Sequence, residues 1–358
     1  MHDITVIGGG PAGSSAAIRL SRTGRRIRLY EKAVFPRPKL CGGFLSPESL
    51  ADLDDLGVLT DLRRSGIFPI RRTVIASRRG TVIESPLPEE TFAVSRELLD
   101  DLLLRQAARE GTHVQHNKDG FDQPRGDYTV IATGRLPKGD PGFLTRRLSP
   151  WYAGSEVSYV GIQAFFQDVT GVSDQVELDL IESGYVGLAR QNEGVNVCAL
   201  TTPEAIESHG PSLDQVLAHF VEENPLLQTH LRDAKRVSSW LSIAPVRLGI
   251  RQIAADKTFF VGDAACVLDP FAGEGMAIGF YSSRLLVNAL QSRSPEATYR
   301  ALWHRAFDPA IRWNAVMRMF YSMRLFREPM AHALRFYPMA MNWLNDLTRY
   351  RRIEGIGS

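Results

Sequence analysis

Residues 3–13, DITVIGGGPAG, decide the fold. A short run of β-forming residues leads into Gly8, Gly10 and Gly13, which are spaced as G-x-G-x-x-G, and helix-forming residues follow. A second β-forming run, RIRLY, occupies residues 26–30. A strand, a glycine turn, a helix and a second strand in this order predict a βαβ unit and hence a parallel sheet.

Each glycine has its own mechanical role in such a turn. Gly8 permits the tight turn, Gly10 lets the backbone approach a pyrophosphate, and Gly13 lets the helix pack closely on the strand. Pro11 and Ala12 lie at the start of the helix, where backbone N–H groups and the helix dipole attract phosphate. The stretch therefore predicts a dinucleotide site that includes all five residues.

Glu31 ends the second strand, and Lys32 follows it. A carboxylate at this place accepts hydrogen bonds from the ribose of a bound adenosine. We therefore predict that both residues contact the adenosine half of the cofactor. The same unit binds NAD and FAD, so this motif leaves the choice between them open.

The composition is that of a globular protein. The chain has 358 residues, of which 44% are hydrophobic and 23% charged, and its net charge is +2 at pH 7. This length predicts two domains or one large one, and the near balance of charge gives no reason to expect nucleic acid as a partner. The cysteines Cys41, Cys198 and Cys266 are far apart, which favours a reducing compartment over a disulfide framework.

The sequence carries no signal for metal binding or for membrane insertion. No group of cysteines or histidines has the spacing of metal ligands, so we predict no metal site. The N-terminus lacks a basic region, and no apolar run approaches the roughly 18 residues of a membrane span. We expect a cytoplasmic protein.

A second glycine-rich motif, TFFVGDAACVLDPFAGEGM, lies late in the chain. Asp263 follows Gly262 at the end of a buried strand, where its carboxylate is placed to accept hydrogen bonds from a ribityl chain. Gly273, Gly275 and Met276 offer backbone N–H groups at a helix start, whose dipole stabilises negative charge on a reduced flavin. A nicotinamide cofactor has no ribityl chain, so this motif favours FAD.

Together, the two motifs resemble the FAD-binding signature of the p-hydroxybenzoate-hydroxylase-like flavoproteins. This superfamily includes aromatic monooxygenases, flavin halogenases and geranylgeranyl reductases. Residues 35–47, FPRPKLCGGFLSP, most resemble the geranylgeranyl reductase family, whose corresponding loop carries K-x-C-G-G. The stretch VSRELLDDLLLRQAAREG, which contains Arg96, also matches, and the resemblance covers most of residues 1–290.

The resemblance implies roles for further residues. Arg96 corresponds to the arginine that contacts FAD near the pyrophosphate, although an arginine in a first helical turn is equally a solvated surface residue. Cys41 corresponds to a cysteine in the substrate cavity close to the flavin, although a cysteine also fits as a small apolar residue beside Gly42. Gly42 and Thr133 complete the cofactor contacts that the resemblance implies.

The chain departs from the relatives it resembles. Aromatic hydroxylases carry a D-G motif at the end of the central strand, where this chain has Ala132, Thr133 and Gly134. This loss argues against a hydroxylase mechanism in which nicotinamide reduces the flavin only after substrate binds. Halogenases carry W-x-W-x-I-P, whereas residues 240–245 read WLSIAP with a single tryptophan. We therefore do not expect halogenation.

The substrate side also differs from the prenyl reductases, which carry Y-x-W-x-F-P. The stretch GYVGLAR keeps Tyr185, but Gly187 replaces the tryptophan and no proline follows. We therefore predict a changed substrate cavity on a retained scaffold. The predicted lining residues are Cys41, Phe44, Tyr185, Pro270 and Phe271.

The C-terminal part is basic and rich in aromatic residues and methionine. We predict mainly helix from Met276 to about Tyr350, with breaks at Pro309, Pro329 and Pro338. A helical extension packed on the FAD domain is the interpretation we favour. The alternative is a pocket wall or a peripheral membrane contact, because methionine adapts to flexible hydrocarbon and basic residues to lipid headgroups.

The predicted fold class is α/β: an FAD-binding Rossmann-like domain of the glutathione-reductase type, an inserted sheet-rich substrate domain and a helical C-terminus. The predicted ranges are 1–70, 95–150 and 250–295 for the FAD-binding domain, 71–94 and 151–249 for the substrate domain, and 296–358 for the C-terminal extension.

We expect an FAD-dependent oxidoreductase acting on an apolar small molecule such as a lipid, a prenyl compound or a polyketide-like compound, with NAD(P)H as the electron donor. The retained C-G-G and the missing D-G acid favour reduction of a double bond. The alternative is an FAD- and NAD(P)H-dependent monooxygenase of an aromatic or polyketide-like metabolite. A second alternative is a non-catalytic binder of prenylated proteins, of the GDI type. The sequence predicts no catalytic acid or base and no oligomeric state.

Overall fold

The computed structural model describes residues 3–134, 158–336 and 346–356. The predicted boundary between residues 150 and 151 and the predicted break at Pro338 lie outside these ranges. The strands are β1 (Ile4–Ile7), β2 (Ile27–Glu31), β3 (Phe68–Ala76), β4 (Val82–Ala93), β5 (His113–His116), β6 (Tyr128–Ile131), β7 (Tyr159–Gln167), β8 (Gln175–Ile181), β9 (Gly184–Gln191), β10 (Gly194–Thr201), β11 (Lys235–Arg236), β12 (Leu241–Val246), β13 (Gly249–Ile250), β14 (Ala254–Ala255), β15 (Thr258–Phe260) and β16 (Cys266–Val267).

The helices alternate with these strands in the first third of the chain and dominate its last third. They are α1 (Pro11–Arg22), α2 (Glu48–Asp55), α3 (Leu59–Arg64), α4 (Arg96–Arg109), α5 (Pro203–Ser208), α6 (Leu213–Glu223), α7 (Pro225–Leu231), α8 (Gly275–Ala289), α9 (Pro295–Ser322) and α10 (Arg324–Phe336).

The first sheet has the order β14-β15-β6-β1-β2-β5. The five adjacent strands β15, β6, β1, β2 and β5 run parallel, as the βαβ pattern predicts, and β14 is antiparallel to β15. β1 lies in the middle, so the turn after Ile7 opens at the carboxyl edge of the sheet, where α/β sheets bind ligands. α1 packs between α4 and α8.

The second sheet has the order β11-β7-β10-β9-β8-β3-β4, with β12 also paired to β7. Its pairs are antiparallel except for β3 with β8, because β3 enters from an earlier part of the chain. The helices α5, α6 and α7 cover one face, where Phe220 and Leu227 pack against Val186 and Leu188. The opposite face looks toward the first sheet.

Close backbone packing explains two of the glycines in the first turn. A Cβ atom at Gly13 would overlap the carbonyl oxygen of Gly8, so only glycine lets α1 approach β1 in this way. Gly8 itself has φ +103°, in the region that favours glycine, and a Cβ there would lie 2.5 Å from the carbonyl oxygen of Ala132. The turn is thus determined by contacts of the chain with itself.

A buried ion network joins elements that are distant in sequence. Asp52 of α2 is fully buried, and its Oδ1 lies 2.7 Å from Nη2 of Arg19 in α1 and 3.1 Å from Nη2 of Arg284 in α8. Its Oδ2 lies 3.1 Å from Nη2 of Arg352, in the C-terminal segment. Three helices (α1, α2 and α8) and the C-terminal segment therefore meet at one carboxylate.

The predicted helix breaks at Pro309 and Pro329 are wrong. α9 continues through Pro309 and α10 through Pro329. A proline inside a helix removes one hydrogen bond to the residue four positions earlier. At Pro309 that residue is Arg305, which is exposed, so its carbonyl oxygen has access to water, while the buried Phe307 holds the helix on the core.

The C-terminal helices contact both sheets. Trp303 and Phe307 of α9 are fully buried in the core that also contains the first sheet, which agrees with a packed helical extension. Ala331 of α10 packs against Ile75 and Ile83 of the second sheet. Among the described residues, no helix combines the length and apolar character needed to cross a membrane. The peripheral membrane contact stays a prediction.

We expect Asp52→Asn to destabilise the protein, because the substitution leaves the buried guanidinium groups of Arg19 and Arg284 with only the partly exposed carboxylate of Asp55 as a shared counter-charge. The expected loss is about 3 kcal/mol in the free energy of unfolding, measured by urea denaturation. Asp168→Asn is the control. Asp168 forms an ion pair with Lys235, and their side chains are 58% and 78% exposed, so this substitution should leave the denaturation midpoint unchanged. Equal midpoints for both variants would contradict the role of the network.

Candidate functional site

A cavity of ≈ 660 Å³ lies between the two sheets. This volume is within the range of small-molecule sites. Gly13 packs behind the turn, and the other predicted site residues line the cavity. They are Gly8, Gly10, Pro11, Ala12, Glu31, Lys32, Cys41, Gly42, Phe44, Arg96, Thr133, Tyr185, Gly262, Asp263, Pro270, Phe271, Gly273, Gly275 and Met276.

The glycine turn and Arg96 form one end of the cavity. A Cβ at Gly10 would find Nη2 of Arg96 as its nearest neighbour, at 3.6 Å, so the turn opens toward the guanidinium group. Arg96 is held by Asp100, which accepts hydrogen bonds of 2.6 and 2.8 Å from it. Burial opposes its charge, but Asp100 more than compensates, and the pKa of Arg96 is raised. A permanent cation therefore stands beside the turn.

Glu31 is buried beside the same turn and accepts two backbone hydrogen bonds. Its Oε2 accepts from the N–H of Gly9 at 2.6 Å, and its Oε1 accepts from the N–H of Ala33 at 2.9 Å. Carboxylate oxygens accept more than one hydrogen bond each, so these contacts fix the carboxylate and leave it capacity for a ribose hydroxyl. The contact of Glu31 with the adenosine half of the cofactor stays a prediction.

Lys39 lines the cavity near Arg96 and was not among the predicted site residues. Its Nζ would lie 3.4 Å from a Cβ at Gly134, at the end of β6. Burial and, after it, the charge of Arg96 lower the pKa of Lys39 to about 8. A second cation therefore stands near the turn, and it loses its proton close to neutral pH.

The other glycine-rich segment forms the middle of the cavity. The backbone makes 3₁₀ turns at Gly262–Ala264 and Pro270–Ala272, and α8 begins at Gly275. A Cβ at Gly275 would lie 3.9 Å from Oδ1 of Asp263, so the carboxylate and the helix N-terminus face the same space. Gly273 has φ +70° and a Cβ there would meet the ring of Phe44 at 2.7 Å. Only glycine fits at this position.

These features fit FAD. The Oγ1 of Thr133 is buried and has no hydrogen-bond partner within the described ranges, although such groups are normally satisfied in folded proteins. The backbone at Gly10 borders open space with a cation beside it, and Asp263 faces the N-terminus of α8. FAD would supply phosphate oxygens to Thr133 and to the backbone at Gly10. It would supply polyol hydroxyls to Asp263.

The loop around Cys41 rests on the second sheet. Gln163 Oε1 accepts a 2.8 Å hydrogen bond from the N–H of Cys41, and Asn196 Nδ2 donates to its carbonyl at 2.8 Å. Cys198 lies opposite Gln163 in the register of β10 and β7, so the loop passes beside both cysteines. Burial and the nearby Cys41 raise the pKa of the Cys198 thiol to about 12. Cys198 is therefore an apolar lining group and a poor nucleophile.

The remaining wall of the cavity is mainly apolar, with Thr73, Asn314, Thr348 and Arg349 as its polar residues. Tyr185 is buried and its ring meets that of Phe271 edge to face, with centroids 5.4 Å apart. Gly187 leaves room beside Cys198 and Leu178, since a Cβ there would lie 3.5 Å from a side-chain atom of each. Further apolar lining comes from Leu40, Ile75, Leu87, Val176, Leu178, Val246, Leu268 and Met317.

Sequence reasoning missed several cavity residues. Lys39 stands in the quoted K-x-C-G-G pattern, so a signal for it was present. Gln163 and Asn196 are ordinary strand residues whose role depends on a loop far away in sequence. Met317 reaches the cavity from α9, which the methionine content of the C-terminus indicated only in general.

Comparison with known protein families supports FAD as the cofactor. Residues 1–142 match the family model described as FAD binding domain. This range contains the glycine turn, Glu31, Arg96 and Thr133. The match supports the FAD that the two motifs predicted.

The relatives of this chain belong to several kinds of protein. Conditioned medium factor receptor 1 of Dictyostelium discoideum is 25% identical, over 89% of this chain and 71% of that protein. Menaquinone reductase of Mycolicibacterium smegmatis is 26% identical, over 81% of this chain and 76% of that protein. Tryptophan 2-halogenase of Chondromyces crocatus is 24% identical, over 91% of this chain and 69% of that protein. Reductases and halogenases thus both occur among the relatives.

Solved structures give the same picture of the fold. A flavin-dependent brominase superposes with a TM-score of 0.80 at 17% identity, covering 97% of this chain and 93% of that one. A geranylgeranyl bacteriochlorophyll reductase-like protein of Thermoplasma acidophilum superposes with a TM-score of 0.70 at 20% identity, covering 97% of this chain and 99% of that one. At these identities the likeness shows a shared fold and no more.

We expect Gly10→Ala to separate FAD binding from folding. The added methyl has no protein atom closer than 3.6 Å, so the fold should tolerate it, but it stands where the phosphates would approach. Titration of the apoprotein with FAD should show an affinity at least about tenfold weaker, with an unchanged melting temperature. In Gly13→Ala the methyl meets backbone, and the melting temperature itself should fall. Unchanged FAD affinity in Gly10→Ala would rule out the assigned turn.

We expect FAD affinity to fall with rising pH because of Lys39. Phosphate binding favours the charged form, so the contribution is complete below the free-protein pKa of about 8 and is lost as the pH rises above it. Between pH 7 and 9 the affinity should drop by a factor of roughly 5 to 10, since each pH unit above the pKa costs up to tenfold. Lys39→Met should bind more weakly at pH 7 and show a flat profile. An equal pH dependence in both proteins would refute the assignment.

Proposed function

We propose that this chain, an FAD-dependent oxidoreductase, reduces a carbon–carbon double bond of an apolar, prenyl-like small molecule. The bound and reduced flavin would supply a hydride from N5, while a proton completes the addition across the double bond. The residues of the chain bind the substrate, orient it and exclude water. We also propose NAD(P)H as the electron donor.

One observation carries the proposal: the cavity continues from the glycine turns into an apolar wall. Most of the residues beyond Asp263 are aliphatic or aromatic, among them Leu40, Phe271, Val176 and Leu268. The polar residues there are Thr73, Asn314, Thr348 and Arg349. An apolar lining stabilises hydrocarbon by burial and keeps water from the reacting carbon atoms.

Two further observations favour the reductase over an oxygen-dependent enzyme. The K-x-C-G-G loop brings Cys41 to the cavity, as in the geranylgeranyl reductases that it resembles. The end of β6 carries Thr133 where aromatic hydroxylases carry an acid, and a relative at 26% identity bears the name menaquinone reductase. We therefore place the chain nearer the prenyl reductases than the hydroxylases.

Product analysis tests the proposal. FAD-loaded protein is supplied with NADPH, a geranylgeranyl compound and bromide, under nitrogen and under oxygen. The masses of the products are then measured by mass spectrometry. A gain of two hydrogens under nitrogen is expected. A gain of one oxygen, or of one bromine, that occurs only under oxygen would sink the reductase proposal. Protein that is colourless and stays so with added FAD would instead favour the non-catalytic alternative.

Gly187→Phe is the matched variant for this experiment. Its Cβ makes ordinary contacts at 3.5 Å, so the sheet should form, but the ring enters the cavity. We expect kcat/KM for the geranylgeranyl compound to fall at least about tenfold while the flavin absorbance is retained. The control is Ala218→Phe, which adds the same ring on the exposed face of α6. Unchanged turnover in Gly187→Phe would place the substrate elsewhere.

A further inference from the structure

Three metal-ligating side chains meet on the outer face of the helical layer that covers the second sheet. They are His209, which follows α5, and His219 and Glu223 of α6. Their donor atoms all lie within 4.8 Å of one another. From this arrangement we propose a divalent transition-metal site, for which Zn²⁺ is the natural occupant.

Local structure explains why the three side chains converge. His219 and Glu223 are one helical turn apart, so they share a face of α6, and Nε2 of the former lies 3.8 Å from Oε1 of the latter. The chain turns back through Gly210, which has φ +129°. That turn stacks His209 on His219, with ring centroids 3.7 Å apart and planes inclined by 23°.

The carboxylate is already oriented by its other oxygen. Oε2 of Glu223 accepts a 2.5 Å hydrogen bond from the N–H of Glu182, in the turn between β8 and β9, and lies 3.2 Å from Nε of Arg78. Arg78 also pairs with the Glu182 side chain, so its charge is shared. Oε1 is the oxygen left facing His219. Hydrogen bonds of this kind are what fix metal-ligating carboxylates.

The donor set suits zinc. Two imidazole nitrogens and one carboxylate oxygen are ligands that Zn²⁺ binds at about 2.0–2.2 Å, with water in the fourth position. Such distances bring ligand atoms to roughly 3.3 Å from one another, so the imidazoles must turn out of their stack. Side-chain rotation suffices, because His209 lies in a connection and His219 is partly exposed.

The site is separate from the flavin cavity. Its helix buries Phe220 and Leu217 in a cluster with Val186 and Val197, which do not line the cavity. A metal there joins the end of α5 to α6 and, through Glu223, to the turn after β8. It would stiffen the layer behind the cavity wall. Sequence spacing gave no sign of it, because His209 approaches through a turn.

Calorimetric titration of the FAD-loaded, EDTA-treated protein with ZnCl₂ tests the proposal. We expect one Zn²⁺ per chain with micromolar affinity and a melting temperature raised by about 2–4 °C at saturating metal. His209→Asn and His219→Gln should each weaken binding at least about tenfold. Glu223→Gln should weaken it too, but it also changes the contact with Glu182, so the histidine variants decide.

His304→Asn is the matched control. His304 and Asp308 form a histidine–carboxylate pair one turn apart on α9, at 3.0 Å, without a second imidazole. This variant should bind Zn²⁺ like the unmodified protein. The proposal is overturned if no Zn²⁺ binds, or if binding persists unchanged in both histidine variants, which would place the metal elsewhere. Both outcomes are independent of turnover.

Discussion

The cavity depends on the buried carboxylate of Asp52. It binds Arg19 of α1 and Arg284 of α8, and each of these helices begins at a glycine-rich turn that lines the cavity. A helix transmits position along its length, so joining two helices at one carboxylate fixes their N-termini relative to each other. The motifs near residues 10 and 275, far apart in the chain, are therefore held as one binding surface. A buried charge needs all its partners, which makes this arrangement sensitive to the loss of any of them.

The features predicted correctly from sequence are those that local chemistry determines. The glycine spacing after β1 follows from sterics within thirteen residues, since Gly13 must let Gly8 approach. Asp263 at the end of a buried strand, before a glycine-rich helix start, carries the same kind of local information. Both motifs led to FAD, and the parallel order of the first sheet followed from the βαβ pattern. The resemblance added Arg96, which does stand beside the turn.

The features that were missed arise from contacts between distant residues. The breaks predicted at Pro309 and Pro329 assumed that a missing hydrogen bond outweighs packing, but the helix buries Phe307 in the core. Lys39 gains its lowered pKa from burial and from Arg96, neither of which is visible in its own neighbourhood of sequence. The pairing of His209 with His219 depends on a turn at Gly210. In each case the deciding neighbour is supplied by the tertiary structure.

The two halves of the cavity differ in how far their polar groups are satisfied. Where the adenosine half of FAD is predicted to bind, the charged side chains are already oriented: Asp100 holds Arg96, and backbone N–H groups hold Glu31. Groups already in place lose little entropy when a ligand binds, which favours tight retention of the cofactor. The far half offers volume and apolar surface, with Gly187 where related prenyl reductases have a tryptophan. Such a surface selects by shape, so under the proposed function substrate choice would rest on the few side chains that limit the space around Cys41 and Tyr185.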